Sequence, residues 1–266
     1  MRIALISYDF GEYCVRHANA LLDYGEVMLI LARGLAEPYE DLIDKRVVYR
    51  PFAKPRLRQP ARQARTIRQI LAEVSAFDPD VVHLQLGHLW FNLALPLLKR
   101  FPLVLTIHDP RHHLGDRGAH RTPQAVLDFG YRRADQVIVH GHSLKEIVNR
   151  ELNIDADRIH VIPHIALGLD SVPSPSPRAE PPSAPPNILF FGRIWPYKGL
   201  DYLIRAQPKI SAAFPEARIV IAGRGEDFDR YHKLMGDPSR FIVHNRWLSD
   251  VERADLFASS RLVVMP

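Results

Sequence analysis

A single cysteine, Cys14, stands in 266 residues, so no internal disulfide can staple the chain, and a reducing cytoplasm suits it. No apolar run is long enough to span a membrane, and the apolar part of the opening MRIALIS is too short for a secretion signal. It reads as a buried first strand. No G-x-G-x-x-G follows that strand, which removes the fingerprint of a dinucleotide-dependent dehydrogenase. No recognition helix or RNA-binding signature accompanies the net charge of +5, and the aromatic residues fall mostly at apolar positions. Nucleic acid is therefore not an expected partner. The positive balance suits phosphorylated small molecules or an anionic lipid surface. Six cations gather in KPRLRQPARQARTIR, residues 54–68, and are expected on the solvated face of a helix and the loop before it rather than in a membrane patch.

What is present is ordinary globular material, 47% hydrophobic and 24% charged, in a length that suits one large domain or two. Short runs rich in Val, Ile and Leu alternate with amphipathic stretches, the pattern of βα units around a parallel sheet. Strands are predicted at 2–7, 27–32, 47–50, 81–84, 103–107, 136–139 and 160–162, with helices around 13–24, 60–76, 89–100, 123–134 and 143–152. The rhythm breaks at 171–186, SVPSPSPRAEPPSAPP, where seven of sixteen residues are proline and no helix or central strand can run. That stretch is expected as a semi-rigid linker. Beyond it, strands at 187–191, 218–222, 241–244 and 261–265 alternate with helices at 199–214, 227–235 and 249–258. The expectation is an α/β protein with a domain at 1–170, a linker, and a second domain at 187–266. Ending on a strand is odd for a complete doubly wound domain, so the second is expected to be incomplete.

In open α/β sheets ligands bind beyond the carboxyl ends of the strands. After the strand at 187–191 comes FGRIWPYKG: Gly192 frees the turn, Arg193 can fork onto phosphate oxygens, and Lys198 adds a point charge as a helix begins. Both cations are equally readable as plain surface residues. The next strand ends in IAGRGED, where Gly223 and Gly225 let backbone pass close to a ligand and Glu226 opens the following helix. Taken alone, that G-x-G is also what a tight strand-to-helix turn uses. A third loop, HNRWLSD, offers Asn245, Arg246 and Trp247 where a nucleobase could lie, with Ser249 and Asp250 as helix caps. Trp247 can equally be a core aromatic.

The series FFGRIWPYKGLDYLI, IAGRGE and HNRWLSDVERADLFASSRLVVMP resembles the family 4 retaining glycosyltransferases. FDPDVVHLQLGH, FPLVLTIHDP, VIVHGHSLKEIV and VIPHIALG extend the resemblance over nearly the whole chain. It implies the GT-B fold of two Rossmann-like domains and transfer of a sugar from a nucleotide-sugar donor, with retention of configuration and no obligatory metal or other cofactor. Arg193 and Lys198 correspond to the arginine and lysine that hold the donor diphosphate, and His108 to a histidine beside the donor sugar. The remaining donor contacts implied are Gly11, Gly192, Gly223, Gly225, Glu226, Arg246 and Trp247. Two departures stand out. The first loop, SYDFGEYCVRH, has only Gly11 where the family usually has paired glycines, and Arg246 stands where many members have glycine. The family's next segment, an acidic E-G-F-G or a Ser-Gly variant, would begin after Pro266, so the chain is expected to be a fragment of a longer enzyme rather than a shortened relative.

Two rivals remain at this stage. A donor-binding module without activity would share every motif above. A metal-dependent hydrolase could draw on His108, Asp109, His112 and His113 with His140 and His142, although Pro110 interrupts the helix that such motifs usually occupy, and no metal site is the expectation. The acceptor class stays open among glycan, lipid-linked and small-molecule hydroxyls. A cytoplasmic location is expected, with weak association at the inner membrane surface allowed by the basic first domain.

Overall fold

Strands that are covered on both faces need apolar side chains on both, which is why the first seven read as nearly unbroken Val, Ile and Leu. In the computed structural model they are β1 (Arg2–Ser7), β2 (Glu26–Ala32), β3 (Val48–Phe52), β4 (Val81–Gln85), β5 (Leu103–Thr106), β6 (Gln136–Val139) and β7 (Ile159–Val161). All pair in parallel, in the order β3-β2-β1-β4-β5-β6-β7. The order reverses direction beside β1, so the loops after β1 and β4 diverge and leave room for a ligand. The structure describes residues 1–112, 122–168, 186–225 and 228–266. The proline-rich stretch apart from Pro186, together with His113, Glu226 and Asp227, lies outside them.

The connecting helices are α1 (Gly11–Leu21), α2 (Arg33–Ala36), α3 (Pro60–Phe77), α4 (Leu89–Ala94), α5 (Gln124–Arg133) and α6 (His142–Leu152). Cys14, Val15 and Ala18 of α1 pack on Leu5, Leu29 and Leu31 on one face of the sheet. Ile70, Val74 and Phe77 of α3, with Phe91 and Tyr131, cover Ile6, Ile30, Leu84 and Leu105 on the other. Proline opens α3, where its missing N–H is no loss, and Asp78 in the left-handed conformation ends it. Arg62, Arg65 and Arg68 are exposed on α3, whereas Lys54 turns back to Tyr8 O and Asp9.

Two predicted helices differ from the structure. The one at 89–100 becomes α4 followed by a 3-10 turn at Leu95–Leu98, because Pro96 has no N–H to continue the α-helical ladder. The one at 227–235 condenses to α8 (Asp229–His232).

The described residues up to Leu167 form one compact unit and those from Gly168 a second; the sequence placed that boundary at 170. The second holds β8 (Asn187–Phe191), α7 (Leu200–Ala213), β9 (Arg218–Gly223), β10 (Phe241–Asn245), α9 (Asp250–Ser259) and β11 (Ser260–Val263), besides α8. Its parallel sheet runs β10-β9-β8-β11. Leu200, Leu203 and Ile204 of α7 pack on Phe190, Ile219 and Ile221, while Leu256 of α9 lies on the opposite face with Leu189, Val220 and Ala222. Each buried aliphatic contributes about 1.5–3 kcal/mol, so the helix after Lys198 is firmly anchored.

Candidate functional site

Parallel register lines up polar residues at the carboxyl edge of the first sheet: Ser7 lies beside Gln85 and Gln85 beside Thr106, all fully buried. Buried polar groups need partners, and these residues and their neighbours form a chain. Thr106 Oγ1 contacts His83 Nε2 at 2.8 Å, Gln85 Nε2 reaches His83 Nε2 at 3.3 Å and His17 Nδ1 at 3.1 Å, and His108 Nε2 donates to Gln85 Oε1 at 3.2 Å. His108 Nδ1 then meets His140 Nε2 at 3.1 Å. The bond to Gln85 fixes the rotamer of His108, which is half-buried two residues past β5.

The loop after β1 supplies the surface above it. Phe10 takes the left-handed conformation at φ 61° without being glycine, and its ring stacks on His108 with centroids 4.1 Å apart. Leu86, after β4, is likewise left-handed at φ 62°. Two such residues flanking the switch point mark local strain of about 1–3 kcal/mol each, which the surrounding packing must offset. Gly11 opens α1 because a Cβ there would sit 1.9 Å from the Leu35 carbonyl oxygen. Burial, followed by the neighbouring His140 and His164, pushes His108 down to about 3, so it is a neutral imidazole and a poor proton acceptor at pH 7.

On the second unit the loop after β8 carries Gly192, Arg193 and Lys198. Gly192 provides the turn at φ 139°, and the exposed Arg193 guanidinium lies 4.3 Å over the Trp195 ring. Lys198 ends a 3-10 turn, Pro196–Lys198, with its ammonium 5.1 Å from the Tyr197 ring centre. Neither cation has a carboxylate partner among the described residues. Gly223 at φ 140° brings β9 so close that a Cβ would stand 1.8 Å from the Gly192 carbonyl oxygen. Gly225 exchanges two hydrogen bonds with the Asn245 side-chain amide, 2.8 and 3.0 Å, tying the second and third loops together. Trp247 is 83% exposed, which removes the core alternative for it. Arg246 pairs with Glu252 at 2.5 Å, and Glu252 closes a capping box with Ser249 at the start of α9. Asp250 is the first residue of that helix and pairs with Arg253.

Of the metal set read from the sequence, the structure brings His108 and His140 together, but not His112 or His142. His112 donates to the Thr122 carbonyl at 2.9 Å and His142 is exposed. Phe10, Tyr13, His83, Gln85 and His164 were missed as neighbours of His108. One signal was available, since His83 and Gln85 alternate with Val82 and Leu84 in VVHLQ and so share a face of β4.

The family model described as Glycosyltransferase Family 4 matches residues 11–165, and that described as Glycosyl transferases group 1 matches 185–266. Glycogen synthase of Mycobacterium tuberculosis is 29% identical over 197 residues, covering 68% of this chain and 46% of that protein. An uncharacterized glycosyltransferase of Methanocaldococcus jannaschii is 26% identical over 297 aligned residues, covering all of this chain and 74% of its own. Thus the chain spans less than half the length of the glycogen synthase that it matches. Among solved structures, a UDP-GlcNAc 2-epimerase of Neisseria meningitidis bound to UDP-GlcNAc superposes with a TM-score of 0.66 at 12% identity, over 99% of this chain and 76% of that one. An E. coli structure described as trehalose-6-phosphate bound with UDP-2-fluoro glucose gives 0.66 at 12% identity, over 100% and 78%. Those likenesses show the fold, two Rossmann-like units of the GT-B type. Among the described residues, no helix is long and apolar enough to cross a membrane.

Proposed function

The chain belongs to glycosyltransferase family 4, and from that premise we propose that it moves a sugar from a nucleotide-sugar donor to an acceptor hydroxyl with retention of anomeric configuration. The observation that carries this reading is the loop after β8: two cations without carboxylate partners among the described residues, beyond the carboxyl end of a strand where the order β10-β9-β8-β11 reverses. Such a position binds anions, and Arg193 and Lys198 supply the positive charge that a departing nucleoside diphosphate needs. In the transfer, the bond from the anomeric carbon to the diphosphate oxygen breaks, the bond to the acceptor oxygen forms, and the acceptor proton passes to the leaving phosphate. The charge on that diphosphate is met by side chains, so this scheme calls for no obligatory metal or other cofactor. His108, neutral and oriented by Gln85, lies beside the donor sugar and does not serve as general base. Gly192, Gly223 and Gly225 shape the loops, and exposed Trp247 offers a face for the base. The acceptor hydroxyl belongs to a glycan, a lipid-linked sugar or a small molecule.

The test is thermal unfolding of the full chain with UDP, GDP, ADP and their sugar conjugates. A nucleotide at about 100 times its dissociation constant adds roughly 2.7 kcal/mol, and the expected result is a raised midpoint selective for one base. No shift with any nucleotide, while unfolding stays cooperative, refutes the donor site. In His108→Ala, turnover should fall while affinity for the selected nucleotide holds; loss of affinity alone would show that its role is misplaced.

A further inference from the structure

Three neighbouring strands, β5, β6 and β7, each release a histidine at the same edge of the first sheet: His108, His140 and His164. Their ring nitrogens available as ligands lie within 4.8 Å of one another. Each ring has its other nitrogen bound to an oxygen. His108 Nε2 donates to Gln85 Oε1 at 3.2 Å, His140 Nδ1 to the Ile162 carbonyl at 2.9 Å, and His164 Nδ1 to the Ile165 carbonyl at 2.7 Å. A proton on the outer nitrogen leaves a lone pair on the inner one, which is how metal-binding histidines are held by the groups around them.

The consequence is sharpest between His108 Nδ1 and His140 Nε2, 3.1 Å apart. With both rings neutral, two lone pairs face each other and no proton lies between them. Two imidazole nitrogens on one tetrahedral zinc stand about 3.3 Å apart, given Zn–N bonds of about 2.0–2.1 Å. That pair is therefore already at ligand spacing, and the third ligand comes from the exposed His164, whose nitrogen lies within 4.8 Å of both. Tyr13 packs its ring against all three, at centroid distances of 5.4, 6.0 and 4.8 Å, and so restricts their alternatives.

We propose that His108, His140 and His164 bind one divalent transition-metal ion of the class that prefers imidazole, zinc foremost. Three protein ligands leave a fourth position for water or a solute group. Transfer as described above does not call for this ion, and its binding is read without turnover. With the Gln85 amide reversed, the close pair becomes an ordinary N–H···N hydrogen bond and the ion-free state is the stable one, so a titration separates the alternatives.

The full chain, stripped with a chelator and dialysed, is titrated with zinc chloride by calorimetry and with cobalt chloride by visible absorption. The expected result is one equivalent of zinc and the strong visible bands of tetrahedral cobalt. His140→Ala and His164→Ala should each weaken zinc at least tenfold, while His142→Ala, an exposed neighbour, leaves it unchanged. Should His140→Ala fail to fold, His164→Ala on its exposed loop carries the test. Absence of stoichiometric binding to the parent chain, or equal affinity in a folded His164→Ala variant, would overturn the proposal.

Discussion

Removing the Arg193 guanidinium should weaken nucleotide binding without unsettling the fold, and the structure allows the two effects to be estimated separately. Arg193 is exposed, has no carboxylate partner among the described residues, and touches the protein through its stacking over Trp195 at 4.3 Å. Arg193→Ala therefore forfeits an exposed cation–π contact of about 0.5–1 kcal/mol. Against a diphosphate the same group makes charge-assisted hydrogen bonds of about 1.5–3 kcal/mol. At about 1.4 kcal/mol per decade this is a roughly 10- to 150-fold weaker affinity. Arg193→Lys keeps the charge and loses the two-pronged geometry, so it should fall between parent and alanine variant. Calorimetry with whichever of UDP, GDP or ADP binds the parent, beside urea unfolding of all three proteins, measures both quantities. The affinity loss should also shrink as salt rises, because the site is exposed. An affinity within twofold of the parent, with the urea midpoint unchanged, would refute the assignment of Arg193 to the diphosphate.

His83 is pushed down to about 3 by burial, with smaller contributions from His17 and His108, whereas in the unfolded chain it titrates near its ordinary value of 6.5. Below that value the unfolded state binds the extra proton, so stability falls as pH drops from about 6.5 toward 3, by about 2 kcal/mol at pH 5 for this one group; urea midpoints that stay flat between pH 7 and 5 would contradict its burial as a neutral ring. Gly223→Ala places a methyl against the Gly192 carbonyl oxygen at a φ of 140°. The cost should reach about 3 kcal/mol or more, and a loss below about 1 kcal/mol in urea unfolding would show that the two loops are not held in such close approach.

The strands were legible because a strand covered on both faces must be apolar throughout, and every predicted strand lies within about two residues of an observed one. The cation loop was legible for a related reason. Gly192, Arg193 and Lys198 follow β8 within a few residues, so the strand that precedes them also places them. Helix 89–100 misled because an amphipathic pattern continues through Pro96 while the hydrogen-bond ladder cannot. Trp247 could not be assigned from its type, since an aromatic ring suits a core and a ligand surface equally, and only packing leaves it 83% exposed.

By itself, then, the sequence determined what is carried by neighbours along the chain: apolar runs that become strands, amphipathic stretches that become helices, and loops whose side chains extend from a strand end. Tertiary structure alone decided what is carried by register. His108 and His140 are 32 residues apart and meet at 3.1 Å because β5 and β6 pair in parallel and end together. Gly223 must be glycine because β9 is drawn against the turn after β8, a contact between segments about thirty residues apart. Each of these depends on which strand lies beside which, and strand pairing is a long-range choice that no local pattern encodes.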